Sequence, residues 1–356
     1  MSDPLWTPAP EAVARSNMTA FLEAVRAGPG ADAGIRGYDD LWAWSVAHPE
    51  RFWPAVWQFC GVIAAERADG SCWESVVTGL DRMAAPDPEL GPRWFLGARL
   101  NFAENLLCHR DDREALVFWN EAGRQRAVTY AELAGASAAF AAALRAQGVA
   151  PGDRVAGYLP NLPETVIAML GAASIGAIWS SCSPDFGVKG VLDRFGQIEP
   201  RVLVTVDGYR YAGKEIDLRG RVREVVEAIP GIERVVVVPY LRPDPDLAGI
   251  RGAAAWPDFV SAYRDAEPRF ERLPFDHPLY IMYSSGTTGL PKCMVHGAGG
   301  TLLQHLKEHR LHTDIHRDDR IFYFTTCGWM MWNWLVSSLA IGATVLLYDG
   351  APLAPR

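Results

Sequence analysis

Tyr283-Ser284-Ser285-Gly286-Thr287-Thr288-Gly289-Leu290-Pro291-Lys292 follows the short apolar run from Leu279 to Met282. Its serines, threonines, glycines and closing lysine suit a loop that leaves a strand and holds phosphate. Glycine lets the backbone approach and adopt positive φ, while hydroxyls and N–H groups donate hydrogen bonds to phosphate oxygens. Ser284, Ser285, Gly286, Thr287, Thr288, Gly289 and Lys292 are therefore the candidate phosphate ligands. Lys292 adds a mobile positive charge that can follow a departing phosphate. The pattern is not a Walker A loop, because G-x-x-x-x-G-K-[ST] cannot be laid over Gly286 to Lys292. An ordinary polar surface turn is the competing account, since the same residue types dominate turns.

Around this loop lies a chain of 356 residues, long enough for about two domains. Hydrophobic residues make up 49% and charged residues 21%, which is what a protein with a large buried core requires. The net charge of −8, from 34 basic and 42 acidic side chains, gives no basic footprint for nucleic acid. Cys60, Cys72, Cys108, Cys182, Cys293 and Cys327 are scattered without a C-x-x-C pair, and read as reduced structural thiols of a cytoplasmic protein. The start, Met-Ser-Asp-Pro, has no basic and apolar signal pattern. Trp329 to Tyr348 is uncharged for about the length of a membrane span. It divides, however, into a buried helix (Trp332 to Ala340), a break at Gly342 and a β-branched strand (Thr344 to Tyr348). No membrane partner is expected.

In chain order, a helix is expected near Glu11 to Ala27, followed by two short helices separated by His48-Pro49. Tyr38, Trp42, Trp44, Phe52, Trp53, Trp57 and Phe59 make this region aromatic, and packing onto the main body explains them. Ala115 to Trp119 reads as a strand. Thr129 and Glu132 form a capping box for a helix running to Leu144 and stopping near Gly148. Strands are expected at Arg154 to Leu159, up to Ser181, at Val202 to Val206 and at Val235 to Pro239, with helices at Glu164 to Ile175 and Leu218 to Ile229. This alternation predicts an α/β fold with mostly parallel sheets covered by helices. Residues 240–276 read as a loop with one short helix, carrying the chain from one sheet to another. Leu170 to Trp179 resembles Leu339 to Leu346, each an apolar helix ending in Ile-Gly-Ala before a strand. Two related subdomains, the second starting near the phosphate loop, would produce that pattern; two coincidentally similar joints would as well.

The ten residues from Tyr283 to Lys292 match the signature phosphate loop of the adenylate-forming superfamily, which includes acyl-CoA synthetases, peptide-synthetase adenylation domains and luciferases. The aromatic N-terminal segment, with Trp94-Phe95 and Leu100 to Leu107, resembles the extension of the acetyl-CoA and acetoacetyl-CoA synthetase branch. Met282 through Asp349 is similar to acetoacetyl-CoA synthetases in particular. The resemblance implies an N-terminal extension over 1–110 and a partial AMP-binding domain over 111–356, the large domain of the fold. It also implies ATP, Mg2+, acetoacetate and coenzyme A as small-molecule substrates and cofactors, with Thr287, Thr288 and Lys292 as catalytic residues.

Gly328, Trp329, Met330 and Met331 follow an expected strand from Ile321 to Phe324, and the resemblance places them at the acyl pocket. Packing by Trp and Met is the alternative on composition alone. Arg210 and Lys214 follow the strand ending at Val206; they read either as solvated loop charges or, by resemblance, as coenzyme A phosphate ligands. His305, His309, His312 and His316 share one helical face, but H-E-x-x-H is absent and Lys307 and Arg310 disfavour a cation, so a packed helix is preferred to a metal site. His296 lies just past the phosphate loop, where it could position the loop's far end.

The implied reaction has two steps: carboxylate attack on the α-phosphorus of ATP, then displacement of AMP by the thiol of coenzyme A. A family member also carries adenine and ribose contacts, a hinge and a small C-terminal domain, which are not found up to Arg356. The expectation is thus the N-terminal half of an acetoacetate–CoA ligase, inactive or nearly so by itself. A ligase for another short acid and a non-catalytic ATP-binding remnant are the alternatives.

Overall fold

The computed structural model describes residues 5–28, 34–81, 91–284 and 289–353. The chain opens with four helices: α1 (Pro10–Arg15), α2 (Asn17–Ala27), α3 (Tyr38–Ala47) and α4 (Pro49–Cys60). The single helix expected over residues 11–27 is divided at Ser16, whose extended backbone and side-chain oxygen cap α2 through Thr19 N. A serine that satisfies an orphan N–H favours a cap over helix continuation. The aromatics of this cap pack as expected. Phe21 meets Phe52 and Phe59 edge-on, and Trp57 lies 4.9 Å from Phe95 and 6.2 Å from Phe275 between ring centroids. Tyr38 and Trp42 are the exceptions, both exposed.

Three short strands, β1 (Ser75–Thr78), β2 (Arg93–Leu96) and β3 (Arg99–Leu100), and helix α5 (Phe102–Leu106) lead into the main body. There β4 (Glu114–Asn120) and β5 (Gly123–Thr129) form an antiparallel pair. Helix α6 (Tyr130–Ala146) starts on the complete Thr129–Glu132 capping box. The following units are β6 (Arg154–Tyr158), α7 (Pro163–Ser174), β7 (Ile178–Cys182), α8 (Val188–Ile198) and β8 (Val202–Val206). A hairpin of β9 (Gly208–Tyr211) and β10 (Lys214–Asp217) precedes α9 (Arg219–Ala228) and β11 (Arg234–Val238). After β12 (Ala253–Ala255), α10 (Trp256–Val260) and β13 (Leu273–Pro274) come β14 (Pro278–Ser284), β15 (Lys292–Gly297) and α11 (Ala298–Lys307). The last elements are β16 (Arg320–Ile321), α12 (Met330–Ser337) and β17 (Thr344–Asp349).

The larger sheet has seven strands in the order β12-β11-β8-β6-β7-β14-β15. All neighbours are parallel except β14 and β15. Strand β6 crosses to β7 in one direction and β7 returns past it to β8. Right-handed crossovers therefore put α7 and α8 on opposite faces. The contacts of α6 with α7, and of α8 with α9, are those of two separate helical layers. Covered on both faces, β7 and β8 are buried along their whole length. Strand β8 reads as a nearly continuous apolar run rather than an alternation, whereas β7 buries Ser180 and Ser181 with their hydroxyls hydrogen-bonded. The fold is α/β with mostly parallel strands.

The second sheet corrects three expectations. Its order is β16-β17-β4-β5, so it joins the early hairpin to the last strand. The phosphate-loop strands belong instead to the first sheet, and no second subdomain starts there. Residues 240–276 leave β11 and return to β14, both in the seven-stranded sheet, and they add the edge strand β12, which sequence reading missed. Periodicity shows that a segment is a strand; only long-range pairing says which sheet receives it. Finally, the strand expected over Ile321 to Phe324 is confined to Arg320–Ile321, since Phe322, Tyr323 and Phe324 have no ladder partner and stand exposed.

Candidate active site

Strands β14 and β15 pair antiparallel, with Ser284 opposite Lys292 and Tyr283 opposite Cys293. The strands on either side of the predicted phosphate loop are thus paired antiparallel, unlike the flanks of a P-loop, which runs from strand into helix. Ser285, Gly286, Thr287 and Thr288 lie outside the described residues. Gly289 follows with φ +108°, a conformation that an L side chain rarely adopts, and with open space where a Cβ would stand. Gln197 of α8 donates to the Pro291 carbonyl at 2.9 Å and anchors the far limb. Lys292 is exposed. On the near limb, the Tyr283 hydroxyl lies 3.0 Å from Ser180 Oγ, and the Arg194 guanidinium sits over the Phe186 and Tyr283 rings. Burial raises the Tyr283 phenol above its usual range, so it acts as a neutral hydrogen-bonding group.

The Gly328–Met331 segment lies against the carboxyl ends of the parallel strands. Ser181 Oγ donates to the Cys327 carbonyl at 2.6 Å, and Cys327 Sγ donates to Leu159 O at 3.1 Å. Burial pushes the Cys327 thiol far up, which makes it a packing group and not a nucleophile. Gly328 follows beside Ser181 and Ser183. Trp329 and Met330 are exposed and Met331 is half-buried. Trp332 points inward, fully buried, and its Nε1 donates to Asn161 Oδ1 at 2.8 Å. From the same helix, Asn333 Nδ2 reaches Met282 Sδ at 3.1 Å. That contact joins the candidate acyl segment to the strand carrying the phosphate loop.

Arg210 and Lys214 sit on the β9–β10 hairpin just beyond β8, at the same carboxyl end of the sheet. Arg210 is ion-paired with Glu215 at 2.8 Å. At the hairpin tip, the N–H groups of Ala212 and Gly213 donate to Glu121, each at 2.7 Å. Glu121 also accepts from Ala351 N, so one carboxylate ties this hairpin to the end of β17. Sequence reading did not identify Glu121. It also missed Asp207, a buried carboxylate accepting from the N–H groups of Tyr240, Leu241 and Arg242. Nor did it find Asp349, which accepts from the Tyr240 hydroxyl at 2.8 Å and whose carboxyl burial pushes up to about 7. Their only sequence signal is an acid at a strand end, too common to single out.

The four histidines do not share one face. Helix α11 passes into a π-turn at Glu308–His312, which shifts the phase, and His316 lies beyond the helical residues. His305 and His309 are buried against α12; His316 is exposed beside Asp314. His296, on β15, packs against Tyr280 with centroids 5.0 Å apart. His296 and His305 both line a cavity of about 790 Å3, together with Val295, Thr301, Gln304 and Met330. The cavity thus shares β15 with the candidate phosphate hairpin and Met330 with the candidate acyl segment. Among the described residues no group of three His, Cys, Asp or Glu could hold a metal. No helix there is long and apolar enough to cross a membrane.

Two family models match the chain: AMP-binding enzyme over residues 102–356, and acetyl-coenzyme A synthetase N-terminus over residues 38–106. The chain belongs to the AMP-binding enzyme family. Among relatives in that family, an acetoacetyl-coenzyme A synthetase of Rhizobium meliloti (strain 1021) is 49% identical over 353 residues, covering 99% of this chain and 52% of that protein. A malonamoyl-CoA synthetase of Penicillium aethiopicum is 42% identical over 349 residues, covering 95% and 47% respectively. The solved structure of acetoacetyl-CoA synthetase from Streptomyces lividans superposes with a TM-score of 0.90 at 44% identity, over 100% of this chain and 52% of that one. The chain spans about half the length of the curated relatives it matches.

Proposed function

We propose that this chain forms the phosphate and acyl portions of an acetoacetate–CoA ligase, which converts ATP, acetoacetate and coenzyme A into acetoacetyl-CoA, AMP and diphosphate. The observation that carries the reading is the Asn333–Met282 contact, which sets the Trp329–Met331 segment beside the phosphate hairpin. An acid held at the first would lie next to a nucleotide held at the second. The names of the relatives supply the acid.

In the first step the acetoacetate carboxylate attacks the α-phosphorus of ATP, and diphosphate leaves with the electron pair of the broken P–O bond. Such a transfer needs alignment and charge neutralisation more than covalent help. Ser284, Ser285, Gly286, Thr287, Thr288 and Gly289 would donate to the β and γ phosphates. Lys292, exposed opposite Ser284, would follow the departing charge. Gly328, Trp329, Met330 and Met331 would border the acid. In the second step the coenzyme A thiol attacks the acyl carbon and AMP leaves. Arg210 and Lys214 would meet the coenzyme's phosphates. Mg2+ finds no protein cage among the described residues, and no step here runs through it. A cytoplasmic setting belongs to the same proposal and fits the six free cysteines.

A second reading, ligation of a different 3-carbonyl acid, is favoured by the malonamoyl-CoA relative. The test is acid-dependent ATP–diphosphate exchange by the polypeptide that carries residues 1–356. Acetoacetate is expected to support exchange at least tenfold better than acetate or butyrate. Equal exchange with acetate would overturn the assignment of the acid, and exchange with malonamate alone would establish the second reading.

A further inference from the structure

Helices α11 and α12 bury a chain of polar groups that the two-step reaction leaves unused. His305 Nδ1 lies 2.8 Å from Ser337 Oγ. Ser337 Oγ lies 3.1 Å from His309 Nε2, which is itself 2.8 Å from the Trp334 carbonyl. His305, His309 and Ser337 are all at most 3% exposed. Desolvation holds both imidazoles neutral, lowering His305 to about 3 and His309 to about 4, so each ring carries one proton at neutral pH.

The acceptors decide where those protons sit. A carbonyl only accepts, so His309 must carry its proton on Nε2 to meet Trp334 O. His309 Nδ1 is then a bare ring nitrogen, and it is buried without a partner. Ser337 Oγ can accept a share of the Nε2–H, while its own hydrogen has two acceptors in reach: Trp334 O at 2.7 Å and His305 Nδ1 at 2.8 Å. Trp334 O is already supplied by His309. Donation to His305 completes the chain and puts the His305 proton on Nε2, the nitrogen not committed to Ser337. His305 also lines the cavity that contains Met330.

We propose that His305, set in its Nε2–H tautomer by Ser337 and His309, donates a hydrogen bond to the carbonyl oxygen on carbon 3 of the acid, making it the residue that selects 3-carbonyl acids over simple alkanoic acids. This rests on the acid-adenylating reading above. The acids named by the relatives share the required feature, since acetoacetyl and malonamoyl groups both carry a carbonyl at carbon 3. A neutral donor suits that oxygen, which remains uncharged while the carboxylate reacts. A site built around such a donor rejects an acid lacking the acceptor, because the N–H then stays buried and unpaired.

The test is steady-state ATP–diphosphate exchange by the polypeptide carrying residues 1–356, with acetoacetate and with butyrate, which replaces the carbonyl by a methylene. In His305→Phe the KM for acetoacetate is expected to rise at least tenfold while that for butyrate stays within threefold or falls. His305→Gln retains an N–H donor, and it should recover most of the acetoacetate preference. Ser337→Ala, which keeps the imidazole but frees its tautomer, should give an intermediate loss confined to acetoacetate. Parallel losses with both acids, in variants that unfold at the wild-type temperature, would reduce His305 to a packing residue and overturn the proposal. A wild-type protein that exchanges with butyrate but not with acetoacetate or malonamate would overturn the functional reading itself, and this inference with it.

Discussion

The phosphate hairpin and the histidine helix are consecutive, Lys292–Gly297 running directly into Ala298–Lys307, yet they hold their polar groups in opposite ways. The hairpin presents Lys292 in solvent, where its charge costs nothing to maintain. The helix encloses His305 and His309, so each ring depends on partners brought from the second helix, Ser337 lying 32 residues from His305. One region can change its chemistry without changing its fold, and the other cannot. Lys292→Ala should therefore be the cleanest break in the comparison. It is expected to lower acid-dependent exchange by about 10²–10³, the usual loss when a group stabilising transition-state charge is removed. The urea midpoint should not move. A variant that keeps its rate would remove Lys292 from the chemistry.

The mirror experiment is His309→Ala. Its Nε2 serves Trp334 O, and its ring stands 4.5 Å from the Trp334 ring. Truncation leaves a buried carbonyl short of a donor and a void against the indole, a combined cost of about 2–4 kcal/mol. Urea unfolding should show that loss, with an unchanged diphosphate affinity at the hairpin. A midpoint within error of wild type would mean that the buried chain contributes no stability.

The same contrast explains what was legible in the sequence. The candidate phosphate motif could be picked out because its polar residues are neighbours in one run, though its hairpin setting could not. The capping box at Thr129 and Glu132 was readable for the same reason. Strands such as Val202–Val206 announced themselves because burial on both faces demands continuous apolar residues. The Ser337 link, the Asn333–Met282 contact and the three donors on Asp207 were not readable. Each joins residues far apart in sequence whose types, Ser, Asn and Asp, are as common in loops as in cores. Membership of the second sheet was hidden likewise, because β4 and β17 are separated by most of the chain. The histidine periodicity was misread at its end because a π-turn leaves no mark in an apolar pattern.

Buried ionisable groups also set opposing pH slopes. His305 and His309 have folded values below the ordinary histidine range, so the unfolded chain binds more protons as pH falls beneath about 6.5, and stability is lost through about 4 and 3. Asp349 is raised to about 7 by burial, against the lowering influence of the Tyr240 hydroxyl. The folded state therefore holds its proton longer, and stability present below the ordinary aspartate value is lost as pH rises through about 7. Asp349→Asn keeps an acceptor for Tyr240 but has no charge to bury. It should exceed wild type at pH 8 by on the order of 1–3 kcal/mol, with the gap closing near pH 4. A gap independent of pH would show that Asp349 does not titrate in this range.

The smallest effect is expected at the β9–β10 hairpin. Arg210 is only partly exposed and already paired with Glu215, so removing it should change folding stability by only about 0–1 kcal/mol. Its engagement by Glu215 also limits what it can offer a phosphate, since the guanidinium must leave or share its carboxylate first. Lys214, across the turn from Tyr211, has no such competitor among the described ion pairs. The double variant Arg210→Ala/Lys214→Ala should therefore raise the KM for coenzyme A about three- to tenfold, the range of one or two screened surface charges. Glu215→Gln, which frees Arg210, should lower that KM. Acid-dependent exchange precedes coenzyme A and should be unchanged in both variants. If Glu215→Gln raises the KM instead, the arginine acts through its ion pair to hold the hairpin rather than through the coenzyme.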